Sequence, residues 1–415
     1  MELYPDFSFS PRLLETAARC EQKLASRFTQ VEATARYNSQ KVHAAFIGSK
    51  VSETHFITTT GYGYGDRGRE VIDKVYARIF KAEAALVRHF MLSGTHALTT
   101  ALFGILRPGD TMLSVAGKPY DTLDKVIGFT GASGSLMDFG IRYAEVPLAD
   151  GRLDYAAIEK ALAAKPKMAY LQRSRGYAAR PSIFIAEIEE VARLVRATSP
   201  DTVFMVDNCY GEFVEKREPI EAGADLIAGS LIKNPGGGIA DSGGYIAGRS
   251  DLVAMCAGRL TSPGLGREVG ASIGQNRPIL QGIYCAPEVT ANALKTAIFA
   301  SAFFEELGYE CSPRWCDERT DIVEQILLKT PEKLVAFCQG IQAGSAIDSF
   351  VTPEPWDMPG YTSQVVMAAG AFVGGSSIEL SADGPLREPY CAFMQGGTNY
   401  DNAIVGVLKA AEGVL

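Results

Sequence analysis

Basic charge is in short supply. The chain carries 40 Lys and Arg against 48 Asp and Glu, a formal net charge of -8 with a pI near 5.3, which opposes binding along a nucleic-acid backbone over a broad surface. Histidine is scarcer still. The four, at 43, 55, 89 and 96, make no HxxxH or HExxH arrangement and none stands at ligand spacing from a cysteine, so the pattern points to no protein metal site. The eight cysteines, at 20, 209, 256, 285, 311, 316, 338 and 391, include no CxxC pair and read as reduced structural thiols. No uninterrupted apolar run reaches the roughly 18 residues that would span a bilayer. The first residues, Met1 to Asp6, hold acids where a secretory signal needs bases, and no apolar segment follows. These absences lead us to expect a cytoplasmic protein with a small-molecule ligand. Internal repeats and low-complexity tracts are missing too, which excludes a solenoid.

What is present is ordinary globular material, 47% hydrophobic and 21% charged over 415 residues, enough for a large domain and a smaller companion. Short apolar runs at 85–90, 111–115, 141–146, 168–172, 202–206, 225–229 and 243–247 alternate with longer segments of helical period. This alternation predicts an α/β domain with a mostly parallel seven-stranded sheet covered by helices. From Glu288 to about Leu307 the chain has no Gly or Pro and stops at Gly308, the signature of a long connecting helix. We therefore expect a helical N-terminal segment (1–59), a large α/β domain (60–287) and a smaller α+β C-terminal domain (288–415) opening with that helix. The polar, helix-prone residues 10–45 are expected to pack on the smaller domain or on a neighbouring subunit.

Chemistry gathers where strands end. Thr202 to Val206 runs straight into Asp207, which places a carboxylate at the carboxyl end of a buried strand, the edge where open α/β sheets bind ligands. A second strand, 225–229, leads into Ser230-Leu-Ile-Lys233-Asn-Pro-Gly-Gly-Gly238, which puts an amine beyond the end of another. Pyridoxal phosphate asks for this pair: an amine to form a Schiff base, and a carboxylate to keep the pyridine nitrogen protonated. Each residue alone also fits a capping carboxylate or a solvated lysine. Together, with Ser230 three residues before Lys233 as a phosphate ligand, they point to the cofactor.

A second place for phosphate lies after the first strand, where Ser93-Gly94-Thr95 opens into a helical run. Helix N-termini present free N–H groups, and glycine lets an anion approach. The same turn is also an ordinary Ser/Thr cap. Tyr120 follows the next strand end, placed either to stack on a pyridine ring and relay a proton or to pack a loop. The run Gly61-Tyr-Gly-Tyr-Gly65 raises nucleotide binding, but it is not strand-GxGxxG-helix and no GxxxxGK[ST] occurs.

These residues in this order resemble fold-type-I pyridoxal-phosphate enzymes. The segments Thr60 to Arg69, Tyr170 to Tyr177, Lys233 to Gly238 and Glu379 to Tyr390 are similar to the methionine gamma-lyase-related group often labelled aluminium-resistance proteins, akin to the Cys/Met-metabolism lyases. The resemblance implies that Lys233 carries the cofactor, Asp207 partners the pyridinium, Tyr120 stacks, and Ser93, Gly94, Thr95 and Ser230 hold phosphate. It further implies that Tyr64 and Arg67 reach the phosphate of an adjacent subunit, in a homotetramer built from catalytic dimers. The activity implied is a lyase that abstracts the alpha proton of an amino acid and eliminates a sulfur group, as a cystathionine beta-lyase or methionine gamma-lyase does. Aminotransferase, aldolase and non-catalytic cofactor-binding readings use the same lysine and aspartate. For the substrate carboxylate, a rigid guanidinium fork is the natural partner. Arg387 is the first candidate, though it also reads as a surface arginine paired with Glu388. Arg173 and Arg175, just past the strand at 168–172, compete with it.

Overall fold

The computed structural model describes residues 3–178, 180–358, 361 and 363–415. Each of the seven apolar runs forms a strand: β1 (Ala84–Arg88), β2 (Thr111–Ser114), β3 (Arg142–Glu145), β4 (Met168–Gln172), β5 (Val203–Asp207), β6 (Leu226–Ser230) and β7 (Gly244–Gly248). They build one sheet in the order β1-β7-β6-β5-β4-β2-β3. All run the same way except β7, which is antiparallel to both β1 and β6. The helices between them are α1 (Pro11–Gly48), α2 (Arg67–Phe80), α3 (Gly94–Ile105), α4 (Asp121–Ile127), α5 (Tyr155–Leu162), α6 (Ile185–Thr198) and α7 (Ser250–Leu260).

The central strands read as continuous apolar runs because both sheet faces are covered. Val87, Leu171, Val206, Ile227 and Ala247 face a core with α2 and α6, whereas Leu86, Tyr170, Met205, Leu226, Ala228 and Ile246 face a second core with α3 and α7. Strand alternation sorts them. The register Gln172↔Asp207 and Asp207↔Ala228 brings the carboxyl ends of β4, β5 and β6 to one edge.

Helix α8 (Asn276–Glu306) is longer than the sequence predicts, because it passes through Pro287 instead of starting after it. Ile279, Leu280, Ile283, Ala286, Pro287 and Thr290 are all buried along it, and that apolar stripe outweighs the roughly 3 kcal/mol that an interior proline costs. Beyond it, β8 (Glu310–Ser312), β9 (Glu324–Leu327), β10 (Val365–Ala368), β11 (Ser381–Pro385) and β12 (Cys391–Gln395) form an antiparallel sheet ordered β10-β11-β12-β9-β8. Helices α9 (Pro331–Ala343) and α10 (Tyr400–Val414) complete this α+β layer. Its core joins Phe299, Phe303 and Phe304 of α8 to Phe337, Ile404 and Leu408. The first half of α1 packs here through Leu13, Ala17, Cys20 and Leu24, while Val42 and Ala45 near its end join the core of the large sheet. Among the described residues no helix is long and apolar enough to cross a membrane.

Candidate active site

A cleft at the carboxyl edge of the large sheet, walled on its other side by β11, β12 and residues 375–377, is lined by Tyr120, Asp207 and Lys233 together. Asp207 ends β5 and is 4% exposed. Its Oδ1 accepts from the Cys209 backbone N–H at 3.1 Å, and its Oδ2 lies 3.4 Å from the Tyr170 hydroxyl, which donates to it. Burial lifts its carboxyl pKa above the ordinary range, although Lys233 and the Cys209 N–H pull the other way.

Lys233 stands three residues beyond β6, at the start of a short turn. Asn234 pins that turn by donating to the carbonyls of Tyr210 and Glu212, both at 3.0 Å. The Lys233 Nζ sits 4.0 Å from the centre of the Tyr210 ring. Burial works against charge on this amine, but Cys209, Tyr210, Tyr120 and Asp207 around it outweigh that effect, so its pKa stands well above the usual lysine value. Tyr120 precedes α4. Its backbone N–H donates to Gln172 Oε1 at 2.8 Å, and its hydroxyl lies 2.5 Å from that of Thr95. Burial raises its pKa as well, which keeps the phenol protonated at neutral pH.

The turn before α3 meets these groups. Ser93 Oγ accepts from the His96 N–H at 3.1 Å. A Cβ placed on Gly94 would stand 3.3 Å from the Ser230 Cβ and 3.4 Å from the Cys209 Sγ, so glycine there leaves a cradle at the helix start that a larger residue would fill. The cradle, the Ser230 and Thr95 hydroxyls, a buried carboxylate, an amine and an aromatic ring make a donor set that fits pyridoxal phosphate.

The remaining predicted residues lie elsewhere. Tyr64 and Arg67 do not line the cleft of their own chain. Arg67 is exposed, and Tyr64, 62% exposed, stacks on Tyr62 at 5.6 Å. Their loop is held from behind by buried Arg69, which donates to the carbonyls of Gly63 and Gly270 at 2.8 and 2.7 Å. Arg387 pairs not with Glu388 but with Asp121 at the cleft, 3.9 Å away. Arg173 is committed to Asn208, Gly211, Glu215 and Thr320, and Arg175 to Ser312 and Gln325. Both are buried braces, and neither lines the cleft.

Sequence reading passed over Cys209, Tyr210, Tyr177, Tyr361, Asp383 and Gln395, all of which line the cleft. Tyr210 had a local signal in Asp207-Asn-Cys-Tyr210, directly after the strand end. It adopts φ 71°, a conformation that bulky residues hold only when their surroundings impose it. Asp383 and Gln395 had none, because their place depends on how the second sheet folds back over the first. Among the described residues that line the cleft, Lys233 is the one cation.

Known proteins share the architecture that carries this cleft. The family model for methionine gamma-lyase matches residues 13–415. A solved structure from Clostridium novyi NT, named as a carbon-sulfur lyase involved in aluminum resistance, is 47% identical, with a TM-score of 0.94 over 98% of this chain and 96% of that one. One from Listeria monocytogenes, provisionally named a cystathionine beta-lyase involved in aluminum resistance, is 48% identical, with a TM-score of 0.94 over 97% of this chain and 100% of that one. L-methionine gamma-lyase of Pseudomonas putida is 28% identical over 197 residues, 47% of this chain and 42% of its own. With the family model matched from the first helix to the last residue, and with its two-sheet architecture shared almost end to end, the chain belongs to the methionine gamma-lyase family of pyridoxal-phosphate enzymes.

Proposed function

We propose that the protein is a pyridoxal-phosphate-dependent lyase that breaks a carbon-sulfur bond in an amino acid. The observation that carries this reading is the convergence of Lys233, Asp207 and Tyr120 on one cleft beside the Gly94 cradle. Lys233 would hold the cofactor covalently, Asp207 would partner its ring nitrogen, and Tyr120 would stack on its ring. Ser93, Gly94, Thr95 and Ser230 hold its phosphate. When bound, the cofactor supplies an electron sink for charge that develops at the substrate Cα. Once the substrate's own amine has displaced it from that covalent link, the freed Lys233 amine would take the proton from that carbon. The Tyr120 hydroxyl, steadied by Thr95 at 2.5 Å, gives a proton to the departing sulfur. Arg387 takes the substrate carboxylate in exchange for Asp121.

Tyr64 and Arg67 reach the phosphate site of a second subunit, in a homotetramer of catalytic dimers. The eight cysteines, all free, suit the reducing cytoplasm. The test is to incubate the purified enzyme with cystathionine, cysteine and methionine and to assay 2-oxo acid and thiol. Release of both from at least one of them is expected, and no turnover of any sulfur amino acid would overturn the reading.

A further inference from the structure

Tyr210 lines the cleft, yet the chemistry above gives it no part. It holds φ at 71°, in the left-handed region that costs a bulky residue free energy unless its surroundings impose it. Here they do. The Tyr210 carbonyl accepts from the side-chain amide of Asn234, one residue past Lys233, at 3.0 Å, and its hydroxyl accepts from Ser377 Oγ on the opposite wall at 3.3 Å. Its ring packs against two apolar clusters, one with Leu294 and Ile378 and one with Val323 and Phe393.

What this constrained residue presents to the Lys233 amine is a ring face, with Nζ 4.0 Å from the ring centre. Burial raises the pKa of the Tyr210 hydroxyl, so the ring is a neutral phenol at pH 7 with the partial negative charge of an aromatic face. A lysine ammonium over such a face is stabilised, and more so where water is excluded. The other groups around the amine are otherwise engaged. Asp207 answers the ring nitrogen in the role proposed for it, burial keeps the Cys209 thiol protonated, and the Tyr120 hydroxyl is bonded to Thr95. Glu212 is raised by burial to about 8 and is mostly protonated at pH 7, while Asp383, raised to about 6, is taken up by Tyr177 and Gln395.

Resting on the lyase reading, in which the freed lysine removes the Cα proton, we infer that Tyr210 is a positioning residue for that step: its ring face receives the ammonium that Lys233 becomes. In the transfer the Cα–H bond breaks, its electron pair stays on the carbon side, and the proton makes the third N–H bond on Nζ. Loss of the ring then has two effects of opposite sign. It slows the proton transfer, because the ammonium that forms is less stable, and it leaves more of Lys233 uncharged in the cofactor-free protein.

Tyr210→Leu removes the ring, and Tyr210→Phe keeps it without the hydroxyl. In cofactor-stripped protein, the rate of covalent capture of added pyridoxal 5'-phosphate, followed by visible absorbance at a fixed pH of about 7 to 8.5, reads the uncharged fraction of Lys233. Tyr210→Leu is expected to capture it roughly three- to tenfold faster than wild type. In the loaded enzyme, exchange of the Cα hydrogen of L-alanine for solvent deuterium is followed by NMR, and because alanine has no leaving group the proton step is read alone. There Tyr210→Leu is expected to be about tenfold slower. Tyr210→Phe stays within about threefold of wild type in both measurements. Should the leucine variant not fold, Tyr210→Met fills the same space without a ring and is read in the same way.

A ringless variant that is slower in both measurements has a packing defect, and that result overturns the inference. So does Cα exchange at the wild-type rate, or a Phe variant that changes as much as the ringless one. A wild type that exchanges the Cα hydrogen of no amino acid, sulfur-bearing ones included, overturns the inference and the lyase reading together. The expected pattern with no thiol released from any sulfur amino acid leaves Tyr210 its role and sinks the lyase reading alone.

Discussion

At the scale of single residues, the cleft works by what burial does to each titratable group. Burial at the end of β5 works against a charge on Asp207, and in the proposed role a cationic ring nitrogen would repay that cost. Asp207→Asn keeps the shape and removes the charge, so kcat/KM should fall by at least about a hundredfold, comparable to removing one preorganised electrostatic partner. Steady-state kinetics with the best sulfur substrate would show it, and a loss below about threefold would contradict the assignment.

Glu212 shows the same physics outside the chemistry. It is fully buried, its Oε1 accepts from the Tyr245 hydroxyl at 2.7 Å, and its Oε2 has no partner among the described residues. Burial pushes its pKa from 4.5 to about 8, reinforced by Glu218 and opposed by Tyr245 and Lys233. Between those two values the folded protein holds a proton that the unfolded chain has lost, so this group costs stability progressively as pH rises through that window. Glu212→Gln removes the dependence. Its melting temperature relative to wild type should climb by about 2–4 °C or more from pH 5 to pH 8, and parallel melting profiles would show that Glu212 ionises normally.

At the scale of elements, the turn that carries Lys233 is held by close backbone contact with α8. A Cβ on Gly282 would lie 2.3 Å from the Gly236 carbonyl oxygen, and one on Gly237 would lie 2.5 Å from the Gly282 carbonyl oxygen. Gly282→Ala therefore has to push helix and turn apart. We expect a loss of about 1–3 kcal/mol, together with weaker cofactor retention, read as reduced visible absorbance after dialysis. The contrasting position is Gly258 in α7, where a Cβ would meet nothing within 4 Å. There Gly→Ala should stabilise the protein by up to about 1 kcal/mol through helix propensity alone. Equal behaviour of the two variants in unfolding and dialysis would show that the contact does not position the lysine.

These elements also show where sequence reading succeeds and where it stops. The strands of the large sheet were legible because burial on both faces writes each as a short apolar run between helical segments. Asp207, Ser230 and Lys233 were legible because they follow such runs directly. The start of α8 was not, since Pro287 is a local stop signal that packing overrides. The second sheet was not either: Glu310 to Ser312 is partly exposed and Glu324 is a buried charge paired with Arg319, so neither strand shows a clean apolar run. Tyr177 and Tyr361 could be placed in the cleft only once both sheets were folded together.

At the scale of the whole molecule, an apolar surface patch needs a cover. Ile57, Tyr62, Tyr64, Leu92 and Ile273 are 67, 72, 62, 76 and 64% exposed. Their segments are tied to one another: Thr59 and Tyr62 bond to residues 270–273, and His89 bonds to Ala271. Exposed apolar residues gathered in this way suit a subunit interface, and they flank the turn where the cofactor phosphate is proposed to sit. If a second subunit covers it isologously, each cleft is completed by the partner's loop. Arg67→Ala and Lys233→Ala would then each be inactive for different reasons. In a reassociated equal mixture, half the dimers pair one of each, and one of their two clefts combines an intact lysine with an intact Arg67. Activity should therefore return to at most about a quarter of the wild-type value, rising and falling with the fraction of mixed dimers as the ratio is varied. If the mixture stays as inactive as its components while native mass spectrometry shows that mixed dimers have formed, Arg67 acts within its own chain and the shared cleft is wrong.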